Sequence, residues 1–309
     1  MGTPAPIPPS SSVSIPASAN EYIEQELDKR LTAIETADVF KGHAISVNGP
    51  LIFGVDDILR SAVEKRCKKE QADRLVILLT TPGGYAETVQ RMVETVRHHY
   101  ALVDFVVPNY AYSAGTVFVM SGDAIYMDYY SRLGPIDPQV DSAKGHQVSA
   151  LGTLEKYNSL IEKSQNGTIT TAEVQLLIDG FDQGELYHYE QARDLSIALL
   201  EEWLVKYKFK NWKTTQTRKI PVTDQMKKDA ASRIGGVLNN TKKWHSHGYG
   251  ISMDVLQRDP EINLLIDDYG DDPILSEKIR CYHELLSDYM VKRSLEGVIH
   301  SPRDYRPFM

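Results

Sequence analysis

The sequence predicts an α/β domain on a parallel sheet, continued by a mainly helical second half. Three features predict it. Leu75-Val76-Ile77-Leu78-Leu79 is an unbroken apolar run, as expected of a strand buried on both faces, and it stops at Pro82-Gly83-Gly84. Residues 86–100 then carry Val89, Met92, Val93 and Val96 at helical spacing and lead into a second apolar strand over 102–107. Beyond about residue 150 one helical pattern follows another and strands become scarce.

The elements follow in order. Residues 20–38 repeat Tyr22, Leu27, Leu31 and Ile34 at threes and fours and read as a helix. A short alternating strand over 43–48 is closed by Gly49-Pro50, and 55–69 form an amphipathic helix with Ile58, Leu59 and Val63 inward. Strand 74–81, helix 86–100 and strand 102–107 make a βαβ unit whose short connections predict a right-handed crossover. Residues 113–122 predict a buried helix, with a strand as the alternative for their β-branched content, and 124–128 a further strand. Helices are expected over 154–164, 171–181, 185–207 and 224–238, then a loop-rich stretch over 244–251 and a last helix over 276–292.

The acidic balance, with a formal net charge of -8, argues against nucleic acid as the default partner, since phosphate binding needs clustered Lys and Arg. The short basic runs Arg66-Cys67-Lys68-Lys69 and Lys242-Lys243 read as solvated faces. Two distant cysteines, Cys67 and Cys281, are no disulfide framework and fit a reducing compartment. The Pro-, Ser- and Ala-rich start lacks the basic and apolar segments of a secretory signal, and residues 1–18 are expected to be disordered. No apolar run spans a bilayer, so a cytoplasmic protein is expected.

Ligands of parallel sheets bind beyond the carboxyl ends of the strands. Two such ends are legible: Thr81-Pro82-Gly83-Gly84 and Asn109-Tyr110-Ala111-Tyr112-Ser113-Ala114-Gly115. They end successive strands of one crossover unit and should lie side by side. Glycines let the backbone approach a ligand closely, and a helix start offers free amides. The N–H groups of Gly84 and Ala114 together can hold a developing oxyanion, and losing one such donor typically costs about 2.7–4 kcal/mol of barrier. Taken alone, Gly-Gly after a strand is a turn and a Ser at a helix start is an N-cap. Their pairing on adjacent strand ends points to acyl chemistry at Ser113. Gly83, Tyr112 and Pro135 border these turns and are candidates for lining a peptide groove.

At these residues the sequence resembles the ClpP/crotonase superfamily, and within it the serine dehydrogenase proteinase family, related to signal peptide peptidase A. The resemblance is carried by Ser46-Val47-Asn48-Gly49-Pro50, Thr81-Pro82-Gly83-Gly84, Ser113-Ala114-Gly115-Thr116, Met120-Ser121-Gly122-Asp123 and residues 131–139, and continues through 184–187 to 244–248. It implies a ClpP/crotonase-like βαβ spiral with a helical C-terminal extension. The catalytic core would occupy 19–150, and 151–309 would complete the site and supply homo-oligomer contacts. It also implies a serine endopeptidase acting on unfolded protein or peptide, with Ser113 as nucleophile, Gly84 and Ala114 as oxyanion hole, and neither metal nor organic cofactor. Ile136 stands where ClpP has its catalytic histidine. Signal peptide peptidases use a lysine instead, and Lys163 and Lys156 fall at the corresponding interval, with Lys163 preferred and Lys144 a third candidate. Burial lowers a lysine pKa toward the range a base needs.

Other residues compete for these roles. His146 is an alternative base, and Asp137 could hold a base in place. His245 and His247 flank Ser246 but have no carboxylate or cysteine at metal-ligand spacing. His98-His99 suit a helix C-terminus. Two further readings of the same fold stay open: a crotonase-like acyl-CoA enzyme without a serine nucleophile, and a non-catalytic binding or scaffold protein.

Overall fold

A computed structural model describes residues 16–137, 139–141, 147–215 and 218–309. Of the tail expected over 1–18 only the last residues fall within these, and there Ser18 caps α1 (Ala19–Glu35) by accepting from the Glu21 amide. Then come β1 (His43–Asn48), α2 (Val55–Lys69), β2 (Arg74–Thr80), α3 (Ala86–His99) and β3 (Leu102–Val106). A short β4 (Tyr110–Ala111) and α4 (Ala114–Val119) precede β5 (Ala124–Met127) and β6 (Arg132–Leu133). A small hairpin, β7 (Gln139–Asp141) and β8 (Gln147–Ser149), opens the helical half: α5 (Ala150–Gln165), α6 (Thr171–Asp179), α7 (Gln183–Trp203) and α8 (Asp224–Leu238). The chain closes with α9 (Thr241–Trp244), β9 (Ile251–Ser252), α10 (Met253–Arg258), β10 (Asp267–Asp268), α11 (Pro273–Lys292), β11 (Gly297–Ser301) and β12 (Asp304–Phe308).

The main sheet has the order β10-β5-β3-β2-β1-β11-β12. Neighbours from β10 to β1 run parallel, and β11 and β12 are antiparallel additions beside β1. The register aligns Ile45 with Ile77, Ile77 with Phe105 and Phe105 with Ile125, so one row of large apolar side chains crosses the sheet. Alternation along β2 divides the apolar run between two cores. Leu75, Ile77 and Leu79 join the side chains of α2, α3, α4, α7 and α8, while Val76 and Leu78 join α1 and α11. Because both faces are covered, the strand sequence shows no polar alternation. Helices α2, α3 and α4 of three successive crossovers lie on one face while the strands advance in one direction, as right-handed crossovers require.

The segment expected to be a helical extension also supplies sheet. Its last hairpin, β11–β12, returns to pair with β1. A second sheet, β4-β6-β9, stands at the carboxyl edge of the first and fixes the site. Among the described residues no helix is long and apolar enough to cross a membrane.

Candidate active site

The two strand ends converge. Beyond β2, the Thr81 amide donates to the Tyr110 carbonyl and the Tyr112 amide donates to the Thr81 carbonyl, so residue 81 pairs with residue 111. Two residues further on, Gly83 has φ +109° and its absent Cβ would stand 2.8 Å from Ser113 Cβ and 3.4 Å from Ser113 Oγ. Glycine is required there, because a side chain would occupy the place of the serine. Gly115 is needed for the same reason, since a Cβ would fall 2.4 Å from Thr81 Cγ2.

Ser113 occupies the N-cap position of α4, yet its side chain makes no capping bond. Its backbone sits at φ +52°, ψ -121°, where a non-glycine residue costs on the order of 1–3 kcal/mol. The residue is 7 % exposed. The amides of Gly115, Thr116 and Val117 close the turn onto the Tyr112 and Ser113 carbonyls. Of the glycine pair, the Gly83 amide is taken by Thr81 Oγ1 at 3.0 Å. Leu51 donates to the Gly83 carbonyl and accepts from the Tyr85 amide, a parallel bridge that turns the Gly84 N–H away from Leu51. Among the backbone hydrogen bonds of the described residues, none engages the N–H of Gly84 or of Ala114.

The second sheet, which starts from β4 just before Ser113, carries two further polar groups on the chain beyond its strands. β4 pairs with β6, Ala111 opposite Leu133, and β6 pairs with β9, Leu133 opposite Ile251. These three side chains are fully buried. Four residues on from Leu133 stands Asp137, and four back from Ile251 stands His247. Both lie on the chain just outside the paired residues of β6 and β9. His247 Nδ1 donates to Asp137 Oδ1 at 3.0 Å, with the Asp137 side chain 3 % exposed and the His247 side chain 24 %. The carboxylate fixes the tautomer and leaves Nε2 available. Thr116 Oγ1 locks the α4 end of this corner, lying within hydrogen-bond reach of the Ala111 and Gly134 carbonyls and accepting from the Gly134 amide.

The two lysines expected as base lie on α5. Lys163 Nζ pairs with Glu173 Oε1 at 2.5 Å, and that glutamate closes the capping box of α6. The bond to Lys163 holds the Glu173 carboxyl down to about 2. Lys156 is exposed on α5, which packs against α6, α7 and β8. Lys163, expected as the base, is thus engaged in an ion pair with Glu173. Lys144 and His146 lie outside the described residues. Pro135, a candidate for the groove lining, is buried. Tyr112 stacks on Tyr110 at 5.0 Å and lies against Gly134 and Gly250, where burial raises its phenol above the ordinary range. His245 is exposed beside the pair. The sequence offered Asp137 and His247 separately, and no spacing rule links residues brought together by β6 and β9.

Residues 23–175 match the family described as ClpP-like SDH-type serine proteinase. That stretch contains Gly84, Ser113 and Asp137, and His247 lies beyond it. Two uncharacterized proteins of Methanocaldococcus jannaschii are similar to the chain. One is 29% identical over 118 residues, 38% of this chain and 38% of the relative. The other is 27% identical over 160 residues, 49% of this chain and 53% of the relative. The chain thus spans about half or less of the relatives it matches. Among solved structures, a membrane-bound stomatin-specific protease mutant in complex with a substrate peptide is 22% identical, with 40% of this chain and 59% of that chain covered and a TM-score of 0.31. The ClpP protease catalytic domain from Plasmodium falciparum is 13% identical, with 39% and 63% covered and a TM-score of 0.31. Through residues 23–175, about half of its length, this chain belongs to the ClpP-like SDH-type serine proteinase family.

Proposed function

We propose that this protein hydrolyses peptide bonds with Ser113 as nucleophile, His247 as general base held by Asp137, and the N–H groups of Gly84 and Ala114 as oxyanion hole. Ser113 itself carries the reading: a serine at positive φ that caps nothing and is pressed against the Gly83 turn. In the reaction Ser113 Oγ attacks the substrate carbonyl carbon while His247 Nε2 takes its proton. The carbonyl π pair moves to oxygen, where the two amides stabilise it. The tetrahedral species collapses, the C–N bond breaks, and His247 returns the proton to the departing amine. Water then attacks the ester by the same route and frees the acid and Ser113. Asp137 orients the ring and stabilises the imidazolium.

A fluorophosphonate probe and an unfolded protein substrate test this. Wild type should react with both, and Ser113→Ala with neither. Asp137→Asn should keep the fold and lower kcat by a factor on the order of 10⁴. Equal labelling of wild type and Ser113→Ala overturns the nucleophile, and an unchanged kcat in both His247→Ala and Asp137→Asn overturns the base. Hydration or hydrolysis of acyl-CoA without probe labelling would mark the crotonase-like reading instead.

A further inference from the structure

An aromatic pair stands beside the Gly84 turn. Phe53 and Tyr85 stack with ring centroids 4.6 Å apart and planes 16° from parallel. Phe53 is 66% exposed and Tyr85 44%. Each is fixed by the backbone that shapes the turn. Tyr85 follows Gly84 directly and donates its amide to Leu51, and Phe53 lies two residues beyond Leu51. Gly54, at φ +94°, turns the chain from Phe53 into α2. Two large rings held face to face in water expose apolar surface that a ligand can cover. The stack also preorganises both side chains, so that little rotamer freedom is lost on binding.

We propose that the Phe53–Tyr85 stack receives a large apolar side chain of an extended polypeptide substrate, within about three residues of the bond that is cut. This rests on the proteinase reading above, because it takes the Gly84 N–H as the point where the scissile carbonyl is held. Neighbouring Cα atoms are about 3.8 Å apart and an extended chain advances about 3.3 Å per residue, so a ring rooted at residue 85 reaches side chains next to the cut and little further. The Gly84 N–H fixes where the carbonyl is held, and the stack adds the selection by side chain. Continuity with the Ser113 corner identifies the occupant as substrate. A second copy of this chain covering the rings is the competing outcome.

The test is digestion of a peptide library read by mass spectrometry, with sedimentation of each variant in parallel. Wild type should cut sites enriched in Phe, Tyr, Leu or Met at one fixed position. Phe53→Ala with Tyr85→Ala should flatten that enrichment, lowering kcat/KM for an aromatic-bearing peptide about tenfold relative to its serine counterpart. Tyr85→Phe, which keeps the ring, should retain the preference. An unchanged profile in the double alanine variant overturns the inference, as does an unchanged profile with a changed assembly mass, which would place the rings between copies. A wild type that cuts with no preference overturns this inference alone. A wild type that cuts nothing overturns the proteinase reading and this inference with it.

Discussion

Ser113 concentrates the local physics of the site. Its φ of +52° is tolerated by glycine and strained for every side chain, so the fold holds it against its own preference. Ser113→Gly should therefore be more stable than Ser113→Ala by about 1 kcal/mol, both being inactive, and urea denaturation of the pair measures it. Equal midpoints would remove the strain. Gly84 shows the converse. A Cβ there would lie 2.2 Å from the Leu51 carbonyl oxygen at a φ of +155°. Gly84→Ala should displace the turn and abolish probe labelling even where circular dichroism is unchanged. These glycines and the serine were legible as sequence because they close the turns that end two successive apolar strands. The engaged amide of Gly83 was not legible, since it depends on how Thr81 Oγ1 turns.

At the level of elements, β2 was readable because burial on both faces leaves its centre wholly apolar, and β1, β3 and β5 because their short apolar stretches are bounded by turns and helical patterns. Hairpin β11–β12 was not anticipated. Gly297–Ser301 is only five residues long, and Pro307 argues against a strand except at an edge, which is where β12 lies. Helix α5 carries the lysines that the resemblance offers as base, and its packing on α6 accounts for the partner of Lys163. Its ammonium holds Glu173, which in turn caps Thr170. Lys163→Met and Lys156→Met should each leave kcat within about twofold of wild type. A loss beyond a hundredfold in either would return the proton-accepting role to a lysine.

Across the whole molecule, the burial that makes the sheet stable also sets its response to acid. His43 begins β1 and is 2% exposed, with Nδ1 bound to the Tyr100 hydroxyl at 2.8 Å. Burial first, and the Arg66 charge second, lower its pKa from 6.5 to about 4. In the unfolded chain the ring takes up its proton near 6.5. Between these values the unfolded state binds more protons, so stability rises with pH across that window. Acidification from 6.5 to 4 should cost up to about 3 kcal/mol, with no further loss from this group below 4. Urea midpoints of wild type and His43→Gln across pH 4–7 measure it, and the variant should lack that share of the slope.

The sequence alone determined the parallel sheet, the order of its crossovers and the two strand ends that meet at Ser113. Each of these is written in local pattern: apolar runs, helical spacing, and glycine where a turn needs it. Only the tertiary structure paired Asp137 with His247. Asp137 and His247 are 110 residues apart, and their pairing depends on the register of β6 with β9. Such long-range register is fixed by packing of the whole chain and leaves no periodic mark in the sequence around either residue.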